Sequence, residues 1–138
     1  MRTILVGVDG SPSSLRALQF AADLAIDLGA ELVVVFARHV YLAMPEHSAE
    51  DMFSDVLDRA EHAILEAIAG ELGGRDLRWR YETQVGPPAD VLCEIAERTG
   101  ASFLVVGRHG GSSLRELVLG SVSNRLAHRS DRPVLLVP

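Results

Sequence analysis

The 138-residue sequence predicts an α/β fold in which an open parallel sheet is covered by helices on both faces. Two observations support this prediction. Short apolar runs typical of strands alternate with segments whose apolar residues recur at helical spacing. Several of the apolar runs are uninterrupted, as in strands that are buried on both faces. Because nothing resembles a linker or an internal repeat, we expect one domain over residues 1–138.

The first strand and helix are marked by clear boundary residues. The apolar run at residues 3–8 predicts the first strand. Ser11 then suits a helix N-cap, and Pro12 suits the first helical position. The helical pattern stops at Gly29, a residue that readily adopts the left-handed conformation of a helix end. The second strand follows at residues 32–36.

The middle of the chain predicts a long helix, an edge strand and a third helix. Ser48, with an acidic residue three positions later, resembles a capping box that opens the second helix. The third strand, residues 77–85, alternates strictly between apolar or aromatic residues and polar ones. This pattern is typical of an edge strand with one wet face. A third helix follows residues 86–88 and closes at Gly100.

The last part of the chain contains two apolar strands separated by a glycine-rich segment and a fourth helix. Residues 102–106 predict the fourth strand and Val134–Val137 the fifth. The fifth strand is apolar throughout. Such a strand is either central in the sheet or paired with another molecule, because an exposed apolar edge promotes aggregation.

Composition excludes several classes of function. The net charge is −6, which disfavours binding of nucleic acids. All 13 basic residues are arginine, so the chain lacks the lysine of a P-loop, of a Schiff base or of a kinase. No apolar run approaches the roughly 20 residues of a membrane helix, and the first residues do not resemble a signal peptide. We therefore expect a cytoplasmic protein with no membrane or nucleic-acid partner.

A glycine pattern after the fourth strand is the most informative motif. It reads Gly107-x2-Gly110-x9-Gly120-Ser121. Glycines at the end of a buried strand let backbone N–H groups approach an anion, and the N-terminus of the next helix favours phosphate. The first two glycines alone are a weak signal, because turns often contain two glycines. The later Gly120 and Ser121, before a helix, favour a phosphate loop.

The turn after the first strand would face this loop if strands one and four are neighbours where the winding of the sheet reverses. The Asp9 carboxylate could accept hydrogen bonds from a ribose hydroxyl or a base amine, or it could cap the helix. A triphosphate beside an acidic domain predicts a divalent cation, Mg²⁺ or Mn²⁺, held mainly through the phosphates. His109 suits a loop residue or ligand contact better than a general base. The candidate crevice residues are Asp9, Gly10, Gly107, Arg108, His109, Gly110, Gly111, Ser112 and Ser113.

Taken together, these residues resemble the universal stress protein family over essentially the whole chain. The segments that match are residues 4–11, residues 85–88, the glycine pattern and residues 132–137. Members that carry this glycine pattern bind ATP. The resemblance implies a five-stranded parallel sheet in the order 3-2-1-4-5, a Rossmann-like fold similar to that of adenine nucleotide alpha hydrolases.

The resemblance also implies roles for individual residues. Asp9 would contact the ribose or adenine, the backbone of Ala37 would meet adenine, and Val8 would help to wall the base. The phosphates would be held by Gly107, Gly110, Gly120 and Ser121, with Val122 and Ser123 continuing the start of the helix. Arg108 departs from the family pattern, in which small hydroxyl residues are frequent at this position.

The implied strand order makes strands three and five the two edges. Family dimers pair through the fifth strand, so we expect a homodimer through Val134–Val137. The function implied is that of an ATP-binding stress-response regulator rather than a fast enzyme. Two alternatives stay open: a weak ATPase or nucleotidyl-transfer enzyme that uses Asp9 or His109, and a nucleotide-free dimerisation module.

Overall fold

The computed structural model of the chain describes residues 1–39, 47–109 and 120–138. Strands and helices alternate along these ranges, as the sequence predicts. In chain order they are β1 Thr3–Gly7, α1 Pro12–Leu28, β2 Glu31–Arg38, α2 His47–Leu72, β3 Trp79–Val85, α3 Pro88–Thr99, β4 Phe103–Gly107, α4 Ser121–Arg129 and β5 Val134–Val137.

The five strands form one parallel sheet in the order β3-β2-β1-β4-β5. This confirms the predicted fold class and strand order. β1 lies at the centre, and the winding of the chain reverses between β1 and β4. In open α/β sheets, ligands bind beyond the carboxyl ends of the strands at such a reversal. β3 and β5 are the edges.

The sheet is buried on both faces by two apolar clusters. Alternate residues of β1 and β2 serve opposite faces, as the period of a strand requires. Ile4, Val6, Leu32 and Val34 face α1 and α2, whereas Leu5, Val33 and Val35 face α3 and α4. Among the residues that the structure describes, no helix is both long and apolar enough to cross a membrane.

The ends of α1 are those that its cap residues predict, whereas the start of α2 differs from the predicted one. Ser11 caps α1 by accepting a hydrogen bond from the backbone N–H of Ser14 at 3.2 Å, as predicted. Gly29 ends the helix with a φ of 62° in the left-handed region, also as predicted. The predicted start of α2 at Ser48 is wrong, because the helix begins at His47 and Ser48 therefore lies inside it.

The edge position of β3 is as predicted, but its polar face is partly covered by α3 rather than fully exposed to solvent. Glu82 accepts a hydrogen bond from Arg98 of α3 at 2.5 Å, and Gln84 donates one to Glu94 of α3 at 2.6 Å. At the carboxyl end of the strand, the apolar face is exposed to solvent, and Val85 is 79% exposed. The alternation identifies the strand, whereas the helix that covers each face is set by tertiary contacts.

A polar cluster joins α2 to the carboxyl end of β2. The guanidinium of Arg38 pairs with Glu61 at 2.5 Å and with Asp58 at 2.8 Å. The Tyr81 hydroxyl of β3 donates to the other oxygen of Glu61 at 2.7 Å. Burial, reinforced by this carboxylate, raises the pKa of Tyr81.

The raised pKa of Tyr81 predicts a loss of stability at alkaline pH. The folded state holds this proton more tightly than the unfolded chain, whose tyrosines titrate near pH 10. The contribution of Tyr81 to stability is therefore complete below about pH 10 and is lost as the pH rises further. We expect the free energy of unfolding, measured in urea from pH 8 to 11, to fall less steeply in Tyr81→Phe. No lysine titrates in this range, and Cys93, whose pKa is also raised by burial, is the same in both proteins, so the difference between the two slopes reports Tyr81. Equal slopes in both proteins would contradict the prediction.

Candidate functional site

A crevice opens beyond the carboxyl ends of the central strands, at the reversal between β1 and β4. One side is polar and is built from the β1–α1 turn, His109 and the start of α4, while the floor is mainly apolar. The residues that line it are Gly7, Val8, Asp9, Ser11, Ser14, Val35, Ala37, Pro88, Leu92, Val106, Gly107, His109, Ser121, Val122 and Ser123.

The β1–α1 turn holds Asp9 through both its backbone and its side chain. Oδ1 of Asp9 accepts from the backbone N–H of Ser11 at 2.9 Å, and the Asp9 N–H donates to Oγ of Ser14 at 3.2 Å. Oδ2 accepts no hydrogen bond from the residues that the structure describes. Asp9 therefore orders the turn with one oxygen and leaves the other at the crevice.

Ala37 lies just beyond the point where β1 stops pairing with β2. The last hydrogen bond here runs from the Val8 N–H to the Val35 carbonyl at 2.9 Å. Backbone groups of a strand point alternately to its two neighbours. The Arg38 carbonyl accepts from Gly86, on the β3 side, at 2.9 Å. The N–H and C=O of Ala37 therefore point to the opposite side, into the crevice.

Gly107 is required by the packing of β4 against α1. A Cβ on this residue would lie 2.4 Å from Oγ of Ser13 and 2.8 Å from its carbonyl carbon. Real Cβ atoms essentially never come this close to other atoms. The first glycine of the motif is therefore needed for the packing of β4 against α1, in addition to the anion contact that the motif predicts.

The start of α4 is held against β4 and has no side-chain cap. Gly120 is the N-cap, and without a side chain it accepts nothing from the first-turn N–H groups. The Ser123 hydroxyl is buried and donates to the Gly107 carbonyl at 2.8 Å, which fixes the helix to the strand. Ser121 and Val122 line the crevice beside it. Among the described residues, no side chain caps the N–H groups of this helix end, and such groups attract anions.

His109 continues β4 along the polar side of the crevice. Its backbone N–H donates to Oγ of Ser13 at 3.4 Å, and its Nε2 accepts from Nε of Arg108 at 3.2 Å. Among the described residues, nothing pairs with its buried Nδ1. Arg108 is itself tied to β5, since its N–H donates to the Val137 carbonyl at 2.7 Å.

Most of the predicted site residues meet at this crevice. Val8, Asp9, Ala37, Gly107, His109, Ser121, Val122 and Ser123 line it, whereas Gly10, Arg108 and Gly120 adjoin lining residues in the chain. Gly110, Gly111, Ser112 and Ser113 fall outside the described residues. In the described ranges, no group of three or more His, Cys, Asp or Glu side chains is placed to hold a metal ion.

Sequence reasoning missed the apolar floor and two polar supports. Val35, Leu92 and Val106 form part of the floor, and in the sequence they are indistinguishable from other core residues. Ser13 and Ser14 are buried in the first turn of α1. Their position in the first turn of α1 could have identified them from the sequence. The first turn of a helix that follows a central strand lies at this edge of the sheet.

An open parallel sheet with a crevice at the reversal of its strand order defines a doubly wound α/β protein. The universal stress protein family model matches residues 1–138, and the chain belongs to this family. A universal stress protein of Thermus aquaticus is 34% identical over 140 residues, which cover 99% of this chain and 98% of the relative.

Solved structures of the same family have the same fold. Universal stress protein UspA of Lactobacillus plantarum superposes with a TM-score of 0.87 at 19% identity, covering 99% of this chain and 97% of that one. A universal stress protein crystallised in complex with cAMP has a TM-score of 0.70 and 34% identity, with the same coverage of 99% and 97%.

Proposed function

We propose that this protein binds an adenine nucleotide, ATP with Mg²⁺ or Mn²⁺, and acts as a nucleotide-dependent stress-response regulator in the cytoplasm. The observation that carries the proposal is the pairing of two features in one crevice. The Ala37 backbone offers a donor and an acceptor, and α4 offers first-turn N–H groups that no described side chain caps. The 34% identical relative in complex with cAMP, which contains an adenine and a phosphate, supports the proposal.

The adenine would lie over the apolar floor against Ala37. Its amino group and ring nitrogens form an edge with donors and acceptors, which suits the N–H and C=O that Ala37 directs into the crevice. The side chains of Val8, Val35 and Leu92 provide apolar contact for the flat faces of the base. Oδ2 of Asp9, which accepts nothing from the described residues, would accept a hydrogen bond from the ribose.

The phosphates would lie at the start of α4. This helix end carries roughly +0.5 elementary charge, which offsets only a fraction of the charge of a triphosphate. The chain has a net charge of −6, so we expect a divalent cation to offset the remaining charge of the phosphates. Mg²⁺ or Mn²⁺ would be coordinated by phosphate oxygens and water, a mode that Mg²⁺ favours.

Binding is favoured over fast hydrolysis because the histidine of the crevice is not free to act as a base. The lone pair at Nε2 of His109 already accepts from Arg108. Asp9 uses one carboxylate oxygen to order its turn. Neither residue has the geometry of an activated general base with an orienting partner.

A thermal shift tests the proposed function. Ligand at 100 times its dissociation constant stabilises the native state by about 2.7 kcal/mol. For a domain of this size we expect Mg-ATP to raise the melting temperature of nucleotide-free protein by roughly 5–15 °C. Mg-GTP serves as the control, because its base presents the opposite donor and acceptor pattern to Ala37. An equal shift with both nucleotides would contradict the adenine site.

We also propose that β5 joins two copies in a homodimer. The carbonyls of Pro133 and Val137 accept hydrogen bonds from the β4 side, so the backbone groups of Val134 and Leu136 point to the open edge. Leu135 is 37% exposed beside that edge. Pairing with a second β5 would satisfy the open groups. A monomer in light scattering at micromolar concentration would contradict this proposal.

A further inference from the structure

The carboxyl end of β2, which carries Ala37, extends past the point where β1 supports it. The pairing of β1 with β2 ends at Val35, whereas β3 pairs with β2 as far as Arg38. Ala37 therefore has a paired strand on one side and the crevice on the other. The position of its backbone depends on the other contacts that hold the end of this strand.

The end of β2 is held against α2 by the carboxylate of Glu61. Side chains alternate along a strand, so the side chain of Arg38 lies on the α2 face of the sheet and that of Ala37 on the α3 face. The Arg38 guanidinium donates to Oε2 of Glu61 at 2.5 Å, and the Tyr81 hydroxyl of β3 donates to Oε1 at 2.7 Å. One side chain of α2, with both of its oxygens in use, thus ties β2 and β3 to the helix.

The same face of α2 contacts the turn that carries Asp9. Ile64 follows Glu61 by three residues, and residues three apart lie on the same face of a helix. Ile64 is buried, and a Cβ on Gly10 would lie 3.2 Å from its Cγ1. α2 therefore contacts both elements between which the nucleoside is proposed to bind, the end of β2 and the β1–α1 turn.

We infer that Glu61 is a positioning residue of the nucleotide site, which holds the Ala37 backbone in place through Arg38 without touching the ligand. The inference rests on the proposed function. Neither Glu61 nor Arg38 lines the crevice. Without their ion pair, the end of β2 can move relative to the turn at Asp9. Hydrogen bonds weaken steeply when their geometry changes, so such a movement would weaken the contact between Ala37 and the adenine edge.

Glutamine in place of Glu61 tests the inference with little change in side-chain volume. Its amide oxygen can still accept from Tyr81, but its NH₂ cannot accept from Arg38. We expect calorimetric titration to show weaker binding of adenosine by roughly 3- to 30-fold, the range for substitutions that act on a site without touching its ligand. Mg-ATP should weaken by the same factor, because the phosphate contacts at α4 are unchanged.

Glu82 is a matched control on the opposite face of the sheet. Its side chain is 16% exposed, against 15% for Glu61, and its carboxylate pairs with Arg80 and Arg98, each at 2.5 Å. Arg98 lies in the last turn of α3, away from the crevice. We expect Glu82→Gln to lose a similar amount of stability in urea while its dissociation constants for adenosine and Mg-ATP stay equal to those of the wild type.

The backbone amide signal of Ala37 reports the position of the strand end without any ligand. In ¹H–¹⁵N correlation spectra of nucleotide-free protein, we expect this signal to shift in Glu61→Gln and to stay in place in Glu82→Gln. A loss of stability alone would not move the signal of the folded state.

Arg38→Gln breaks the same ion pair from the other side and carries the test if Glu61→Gln does not fold. It should weaken adenosine binding by a similar factor. Because both substitutions remove one interaction, the double variant should bind adenosine no more weakly than either single variant.

The possible failures are distinguishable. Wild-type affinity for adenosine in folded Glu61→Gln or Arg38→Gln, or an equal loss of affinity in Glu82→Gln, would overturn the role of Glu61 alone. A wild-type protein that binds no adenine nucleotide would overturn the proposed function and this inference together.

Discussion

Replacing Gly107 with alanine is expected to destabilise the protein by about 3 kcal/mol, near the upper end of the cost of overpacking a core. The added Cβ would lie 2.4 Å from Oγ of Ser13 and 2.8 Å from its carbonyl carbon. The hydroxyl could rotate away, but the backbone of Ser13 cannot move unless α1 shifts against the sheet. Urea unfolding measures the loss, which corresponds to a fall of roughly 10 °C in melting temperature.

Two variants control for this result. Gly70→Ala, inside α2, adds a Cβ with no atom within 4 Å and should stabilise the protein by roughly 0.5–1 kcal/mol. Ser13→Ala in the Gly107→Ala background should recover only part of the loss, because the backbone carbon and oxygen of Ser13 still clash. A Gly107→Ala protein as stable as the wild type would contradict the close contact between β4 and α1.

Replacing Gly120 with aspartate is expected to abolish Mg-ATP binding without weakening the fold. Gly120 has φ −59° and ψ 157°, close to the −67° and 154° of Ser11, which caps α1 through its side chain. An aspartate at position 120 would therefore cap α4 in the same way and place a negative charge where the phosphates are proposed to bind. We expect at least 100-fold weaker binding in calorimetry, with a free energy of unfolding equal to wild type or a few tenths of a kcal/mol higher.

Asparagine at position 120 separates the effect of the negative charge from the effect of a side chain at the helix start. Gly120→Asn places an oxygen of similar geometry at the helix start but adds no charge, so it should weaken Mg-ATP binding less than aspartate does. Adenosine should bind both variants as it binds the wild type. Tight Mg-ATP binding by Gly120→Asp would contradict the assignment of the phosphates to α4.

The fold could be predicted largely because its signals are local. Uninterrupted apolar runs identified the central strands, and Ser11 and Gly29 identified the ends of α1 through cap chemistry that needs no tertiary contact. Where tertiary contacts decide, the sequence was a poorer guide. Glu82 and Gln84 look solvated in the alternating pattern of β3, yet α3 holds both of them.

The sequence predicted where the candidate site lies, but not the physical reason for each of its residues. Asp9 and the glycine pattern follow neighbouring strands, and the parallel sheet brings them to one edge. The need for Gly107 comes from its distance to Ser13, which no spacing in the sequence reveals. The hydrogen bond between Arg108 and His109 likewise depends on the direction of the Arg108 side chain, which only the folded chain determines.

The central claim, an adenine nucleotide held between Ala37 and the start of α4, is tested most directly by calorimetric titration of nucleotide-free protein. Mg-ATP should bind with one site per chain, and adenosine should bind more weakly because it lacks the phosphate contacts. Mg-GTP should bind far more weakly than Mg-ATP. No heat of binding with Mg-ATP under conditions where the protein is folded would contradict the account.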